Sequence, residues 1–174
     1  NEINQAMIKV GIGKEKKSKI ISEKEKRITA YHESGHAILF HVLPDVGPVH
    51  TVSVIPTGAG AAGYTMPLPA KDEMFLTKGK MLQEIMVSLG GRIAEEIFIN
   101  QQSTGASNDF ERATKMARAM VTKYGMSDRL GVMVYEDDNT QGFFGNVGSR
   151  TISEATQQQV DEEVRRILDE QYKV

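Results

Sequence analysis

Apolar residues recur at helical spacing in five stretches of the chain and cluster in three short extended ones. Ile3, Ala6, Met7 and Val10 predict a short first helix that Gly11 and Gly13 end. Ser22 and Glu25 have the spacing of a capping box, so a second helix is predicted from Ser22 through Ile28, Tyr31, Ala37, Ile38 and Val42 until Pro44 stops it. A third helix is expected from Thr77 to Phe98, with Met81, Leu82, Ile85, Leu89, Ile93 and Ile97 on its apolar stripe. Gly90 and Gly91 interrupt it. Two glycines cost about 2 kcal/mol of helix propensity, which suggests close approach of another helix or backbone. A fourth helix is predicted from Asn108 to Lys123, with Glu111 completing a capping box. A last one is capped by Thr151 with Glu154, or by Ser153, and runs to Val174. Val49, Val52, Val54 and Ile55 favour a strand, Tyr64–Pro69 reads as extended edge structure, and Val132–Tyr135 as one more strand. The predicted architecture is mainly α with a small β-sheet or hairpin.

Composition narrows the function classes. At 174 residues, one domain is expected, with a remnant of a neighbour in residues 1–13. The polar start, without Met, reads as an excised piece, and the last helix reads as cut short. Lys and Arg number 21 against 23 Asp and Glu, so the basic excess that nucleic acid demands is missing. The charge-rich run 14–27 reads as a solvated linker entering a helix. No run of about 18 apolar residues offers a membrane span. With no cysteine, any metal must be held by histidine and carboxylates.

One motif carries chemistry. His32-Glu33-Ser34-Gly35-His36 matches H-E-x-x-H in the middle of the second helix. Residues four apart on a helix lie about 40° apart around the axis and about 6 Å along it, so both imidazoles can converge on one zinc ion. Glu33, adjacent to the first histidine, can reach a water polarised by that metal and act as general base. Random placement would produce this motif about 1% of the time in such a chain. His41 and His50 are poorly placed for the same ion, one by helix angle and the other beyond Pro44, and read as structural. A third ligand is needed, and the residues leave Glu95, Glu96 and Asp109 as candidates. Gly58–Gly63 satisfies G-x-G-x-x-G, but an extended segment containing two prolines follows it, where a dinucleotide fingerprint requires a helix. The segment reads instead as a mobile turn, beside a strand with which a peptide could pair.

Several segments resemble the peptidase domain of the FtsH proteases, which are membrane-anchored AAA+ zinc peptidases. They are KEKKS, ISEKEKRITAYHESGHAILFHVLP, TVSVIPTG, GYTMPLP, GGRIAEEIF, STGASNDFERATKMARAMVTKYGMSDRLG and VDEEVRRIL, in family order over nearly the whole chain. The resemblance implies an ATP-dependent endopeptidase acting on unfolded or membrane-derived polypeptides in protein quality control, with residues 14–174 as the zinc peptidase domain. It implies one Zn2+ held by His32, His36 and Asp109, Glu33 as the base, and Glu95 as a carboxylate behind the metal that orients a ligand histidine. It also implies a homo-hexamer anchored in the cell membrane, or an organelle equivalent, with the peptidase on the cytoplasmic side and this piece soluble by itself. ATP would act only through a separate ATPase module, since no G-x-x-x-x-G-K-[ST] loop occurs here, and residues 1–10 resemble the last helix of that module. Ser34 stands where the family more usually has Ala, a small-for-small change. From another class, the alternative is a non-catalytic ring-forming scaffold with a structural or empty metal site.

Overall fold

The computed structural model describes residues 2–11, 13, 15, 20–58, 60–68, 73–135 and 152–174. Five helices are assigned among them: α1 (Glu2–Gly11), α2 (Glu23–Val42), α3 (Lys78–Ile99), α4 (Ser107–Thr122) and α5 (Glu154–Lys173). Strands β1 (Val49–Ser53) and β2 (Tyr64–Pro67) form one antiparallel pair, with Val52 opposite Thr65 and Ser53 opposite Tyr64. Thr51 is opposite Met66, and the register shifts between Val49 and Thr51. The expected mainly α architecture with a small hairpin is what forms.

Capping chemistry sets most boundaries. The Ser22 hydroxyl accepts from the Glu25 amide, and the Glu25 carboxylate accepts in return from the Ser22 amide, so α2 starts at a complete capping box. Thr77 and Ser153 cap α3 and α5 through their hydroxyls. The fourth helix departs from expectation. Asn108 and Glu111 lie inside α4, and no side chain caps it, because a 3₁₀ turn over Thr104–Ala106 feeds straight into the helix. That turn is capped by Ser103, and the Ser107 amide donates to the Thr104 carbonyl. The strand predicted at Val132–Tyr135 does not form. Val132, Met133 and Val134 are exposed, and no strand is paired with them among the described residues. Tyr135 is instead tied to Thr122 and Leu130 by its amide and hydroxyl, each at 2.8 Å. β-propensity yields a strand only where an edge is available to pair with it. Thr151 lies outside the described residues, as does much of the charged run preceding α2.

The core lies between α3, α4 and α5. Met81, Ile85 and Leu89 pack against Ala113, Ala117, Met120 and Val121, and against Val160, Val164 and Ile167. Glu163 is buried beside this core on α5 and accepts from Ser127 Oγ at 2.8 Å and from Arg166, which ties α5 to the loop after α4.

Helix α2 reaches this body through glycine. A Cβ on Gly35 would lie 2.2 Å from the Gly90 carbonyl oxygen, and one on Gly91 would lie 2.4 Å from Cε1 of His32. These contacts exist because Gly35, Gly90 and Gly91 have no side chains, which accounts for the two glycines inside α3. The turn at residues 57–61 closes through Thr57 N to Ala61 O at 2.9 Å and Gly60 N to Thr57 O at 3.2 Å. Strand β2, not a helix, follows Gly63.

Gly35→Ala tests the helix contact. Alanine is favoured in a helix by up to about 1 kcal/mol, but overpacking typically costs about 1–3 kcal/mol. Because the obstacle here is backbone, which cannot rotate away, the variant should be less stable in urea or thermal unfolding. A stability at or above that of the parent would mean that α2 and α3 are not in this contact.

Candidate metal centre

The sequence period puts His32, Glu33 and His36 on α2, and the glycine contact turns all three inward, each 6–7% exposed. His36 Nδ1 donates to the Val87 carbonyl on α3 at 2.6 Å. A carbonyl only accepts, so this bond puts the proton on Nδ1 and leaves the Nε2 lone pair free. His32 Nδ1 lies 2.8 Å from Glu95 Oε1, and donation there leaves its Nε2 free in the same way. The two Nε2 atoms are 3.0 Å apart, and Asp109 Oδ2, from the first turn of α4, stands 3.1 Å from one and 3.4 Å from the other.

Three donors of this kind facing one point fit a cation. A tetrahedral zinc with bonds of about 2.0–2.1 Å separates its ligands by roughly 3.3–3.4 Å, close to the spacings among these atoms. The electrostatics point the same way. Burial opposes a charge on His32, but the bonds to Asp109 and Glu95 outweigh it and hold the imidazole above its ordinary pKa. Burial would likewise raise Asp109, yet the bonds from His32 and His36 bring it down to about 2. Both shifts express one demand of the cluster, for positive charge between the imidazoles and the carboxylate.

Glu95 is differently placed. It is 1% exposed, and its carboxylate accepts from His32 Nδ1, from Ser103 N at 2.8 Å and from Ser103 Oγ at 2.9 Å. Arg92 Nε stands 3.7 Å away, and the Arg92 guanidinium donates to the Ser103 carbonyl at 2.6 Å. Glu95 therefore sits behind the His32 ring, on the side opposite Nε2. Glu96 points elsewhere and accepts from Gln102 at 2.8 Å. His41 is exposed, His50 lies on β1, and neither joins the cluster of His32, His36 and Asp109. Ser34, next to the motif, is exposed.

Glu33 faces the hairpin. Its Oε2 accepts from Thr65 Oγ1 on β2 at 2.7 Å. Burial raises its pKa, offset in part by the Thr65 bond and by the two histidines. Residue patterns alone did not single out Thr65, Ser103 or the Val87 carbonyl. Ser103 stands in the segment STGASND and Thr65 in GYTMPLP, but no spacing rule links either to the second helix. All the side chains of the cluster line one large groove, together with residues of the turn before β2 and the 3₁₀ turn.

The family model described as peptidase family M41 matches residues 19–174. Three curated relatives bear the name ATP-dependent zinc metalloprotease FtsH. The protein of Cupriavidus metallidurans is 54% identical over 98% of this chain and 26% of its own length. That of Veillonella parvula is 49% identical over 99% of the chain and 27% of its own length. The Caldicellulosiruptor bescii protein is 48% identical over 99% of the chain and 28% of its own length. The chain thus spans about a quarter of the length of these relatives. No helix among the described residues is long and apolar enough to cross a membrane. With the motif, the buried cluster and a match over most of its length in agreement, the chain belongs to peptidase family M41.

Proposed function

We propose that residues 14–174 form a zinc-dependent endopeptidase domain that hydrolyses unfolded polypeptide. The observation that carries this reading is the convergence of two imidazole lone pairs and a carboxylate oxygen on one point, with a second carboxylate, Glu33, one residue from the first histidine. His32, His36 and Asp109 would hold the metal. Zinc held there would supply Lewis-acid chemistry to the scissile carbonyl and the attacking water. Glu33 takes the proton from that water and then delivers it to the leaving amine. Burial favours this exchange by raising Glu33 toward the pKa range in which a carboxylate both accepts and donates protons. Glu95 fixes the His32 tautomer and ring angle by accepting from Nδ1, and Val87 does the same for His36. The relatives' names support ATP dependence of the whole protein, and delivery of the polypeptide by a separate ATPase module is part of this proposal. Assembly as a homo-hexamer and anchoring in a membrane, with this domain on the cytoplasmic side, belong to the same proposal.

Glu33→Gln should keep near-stoichiometric zinc and lose essentially all peptide hydrolysis. Metal analysis and a cleavage assay on the same preparation check this, and loss of zinc would mean that Glu33 is a ligand. Persistent cleavage would instead remove it as the base. A protein that binds zinc and never cleaves a peptide would favour the scaffold reading.

Asp109→Ala should leave zinc largely unbound, because a bond to the metal is lost. Glu95→Ala should weaken zinc by about 10- to 100-fold, the usual effect of removing a group that orients a ligand. Competitive zinc titrations at one pH compare the two. An empty site in Glu95→Ala beside a loaded one in Asp109→Ala would reverse the assignment.

Zinc affinity should also depend on pH through His32. Its pKa is raised in the folded chain, so metal must displace a proton that is held more firmly than on an ordinary histidine. Apparent affinity should fall as pH drops from about 8 to 5. Asp109, at about 2, stays ionised across this interval and adds nothing to the slope. A flat profile would contradict the assignment of His32 as a ligand.

A further inference from the structure

The hairpin does more at this site than line the groove. Thr65 Oγ1 lies 2.7 Å from Glu33 Oε2 and 3.1 Å from the Glu33 backbone carbonyl, so one hydroxyl is bracketed by two oxygens of a single residue. Two positions earlier, just before β2, Gly63 allows the chain to press against α2. A Cβ there would meet the Ser53 carbonyl at 2.5 Å, Thr29 Cγ2 at 2.7 Å and Glu33 Cγ at 3.1 Å. The stem of Glu33 is therefore walled by Gly63, and its head is held by Thr65.

We propose that Thr65 is the positioning residue of Glu33, its hydroxyl holding the carboxylate in one rotamer beside the metal ligands. The proposal rests on the reading of Glu33 as the base. An unrestrained glutamate distributes itself over several rotamers, and a base that must meet a water within about 3 Å loses rate in proportion to the time spent elsewhere. The hydroxyl suits both halves of the catalytic cycle. While Glu33 is a carboxylate, Thr65 donates to Oε2. Once Glu33 carries the proton, Thr65 can accept from it and turn its own hydrogen to the backbone carbonyl.

The test compares Thr65→Val, Thr65→Ser and Glu33→Gln with the zinc-loaded parent. It uses an unstructured peptide bearing a fluorophore and a quencher, and zinc content is measured on each preparation. Thr65→Val, nearly equal in shape, should retain zinc and leave KM within about twofold while lowering kcat about 10- to 100-fold, a part of what a general base contributes. Thr65→Ser, which keeps the hydroxyl, should restore kcat to within about threefold of the parent. A second readout needs no activity: scalar couplings of the Glu33 side chain in the metal-free protein should report one rotamer in the parent and averaging in Thr65→Val. Unchanged kcat in Thr65→Val, loss of its zinc, a serine variant no better than valine, or an averaged Glu33 in the parent would each overturn the proposal. An inactive Glu33→Gln beside a fully active Thr65→Val would remove this proposal alone. An active Glu33→Gln would remove the base reading and this proposal together.

Discussion

The site depends on how closely α2 and α3 approach. Gly35 meets the Gly90 carbonyl where any side chain would collide, and the His32 ring occupies the space that a Cβ on Gly91 would need. That contact puts the Val87 carbonyl within reach of His36 and the Glu95 carboxylate within reach of His32. Moving the helices apart by the width of a methyl group would break both bonds, and with them the tautomers that leave the Nε2 lone pairs facing each other. The helix propensity lost at Gly90 and Gly91, about 2 kcal/mol, is thus compensated by geometry that no other residue type permits.

The second organising feature is a division of labour among three carboxylates within one groove. Asp109 is held well below the ordinary carboxylate range by two imidazoles, so it is an anion at any working pH. Glu95 accepts from His32 and twice from Ser103, which holds it behind the His32 ring. Glu33 is pushed upward by burial and is bonded to a hydroxyl, which leaves it able to exchange a proton. The same functional group, a carboxylate, thus meets three surroundings that differ in neighbouring charge, hydrogen bonding and burial.

These carboxylates come from different elements, and each element is held by its own means. The 3₁₀ turn at Thr104–Ala106 carries α4 forward so that Asp109 falls in its first turn, and Ser103 anchors the start of that turn to Glu95. Glu95 thereby links the histidine on α2 to the segment that delivers Asp109. Away from the groove, the apolar stripes of α3, α4 and α5 form a core that needs no polar group of the site.

The amino-acid sequence alone made the helices and the pair of histidines legible. Both follow from local periodicity: the apolar stripes recur at helical spacing, Ser22 and Glu25 announce a helix start, and residues four apart share a helix face. It also signalled, through Gly90 and Gly91, that something must come close to α3. Residue spacing left Glu95, Glu96 and Asp109 open, and only the family resemblance named Asp109; neighbours on a helix differ by about 100° in direction, so packing decides whether Glu95 or Glu96 meets His32. The local pattern misread Asn108 as a cap, since the preceding 3₁₀ turn runs straight into α4 and already takes the Ser107 amide. It also misread Val132–Tyr135 as a strand, since a strand needs an edge supplied by another part of the chain. The contact of Thr65 with Glu33 joins residues 32 positions apart, and hydroxyl and carboxylate are both common on protein surfaces. Their meeting comes from packing between distant segments, because the approach of hairpin to helix is set by the missing side chain of Gly63 and not by any local pattern.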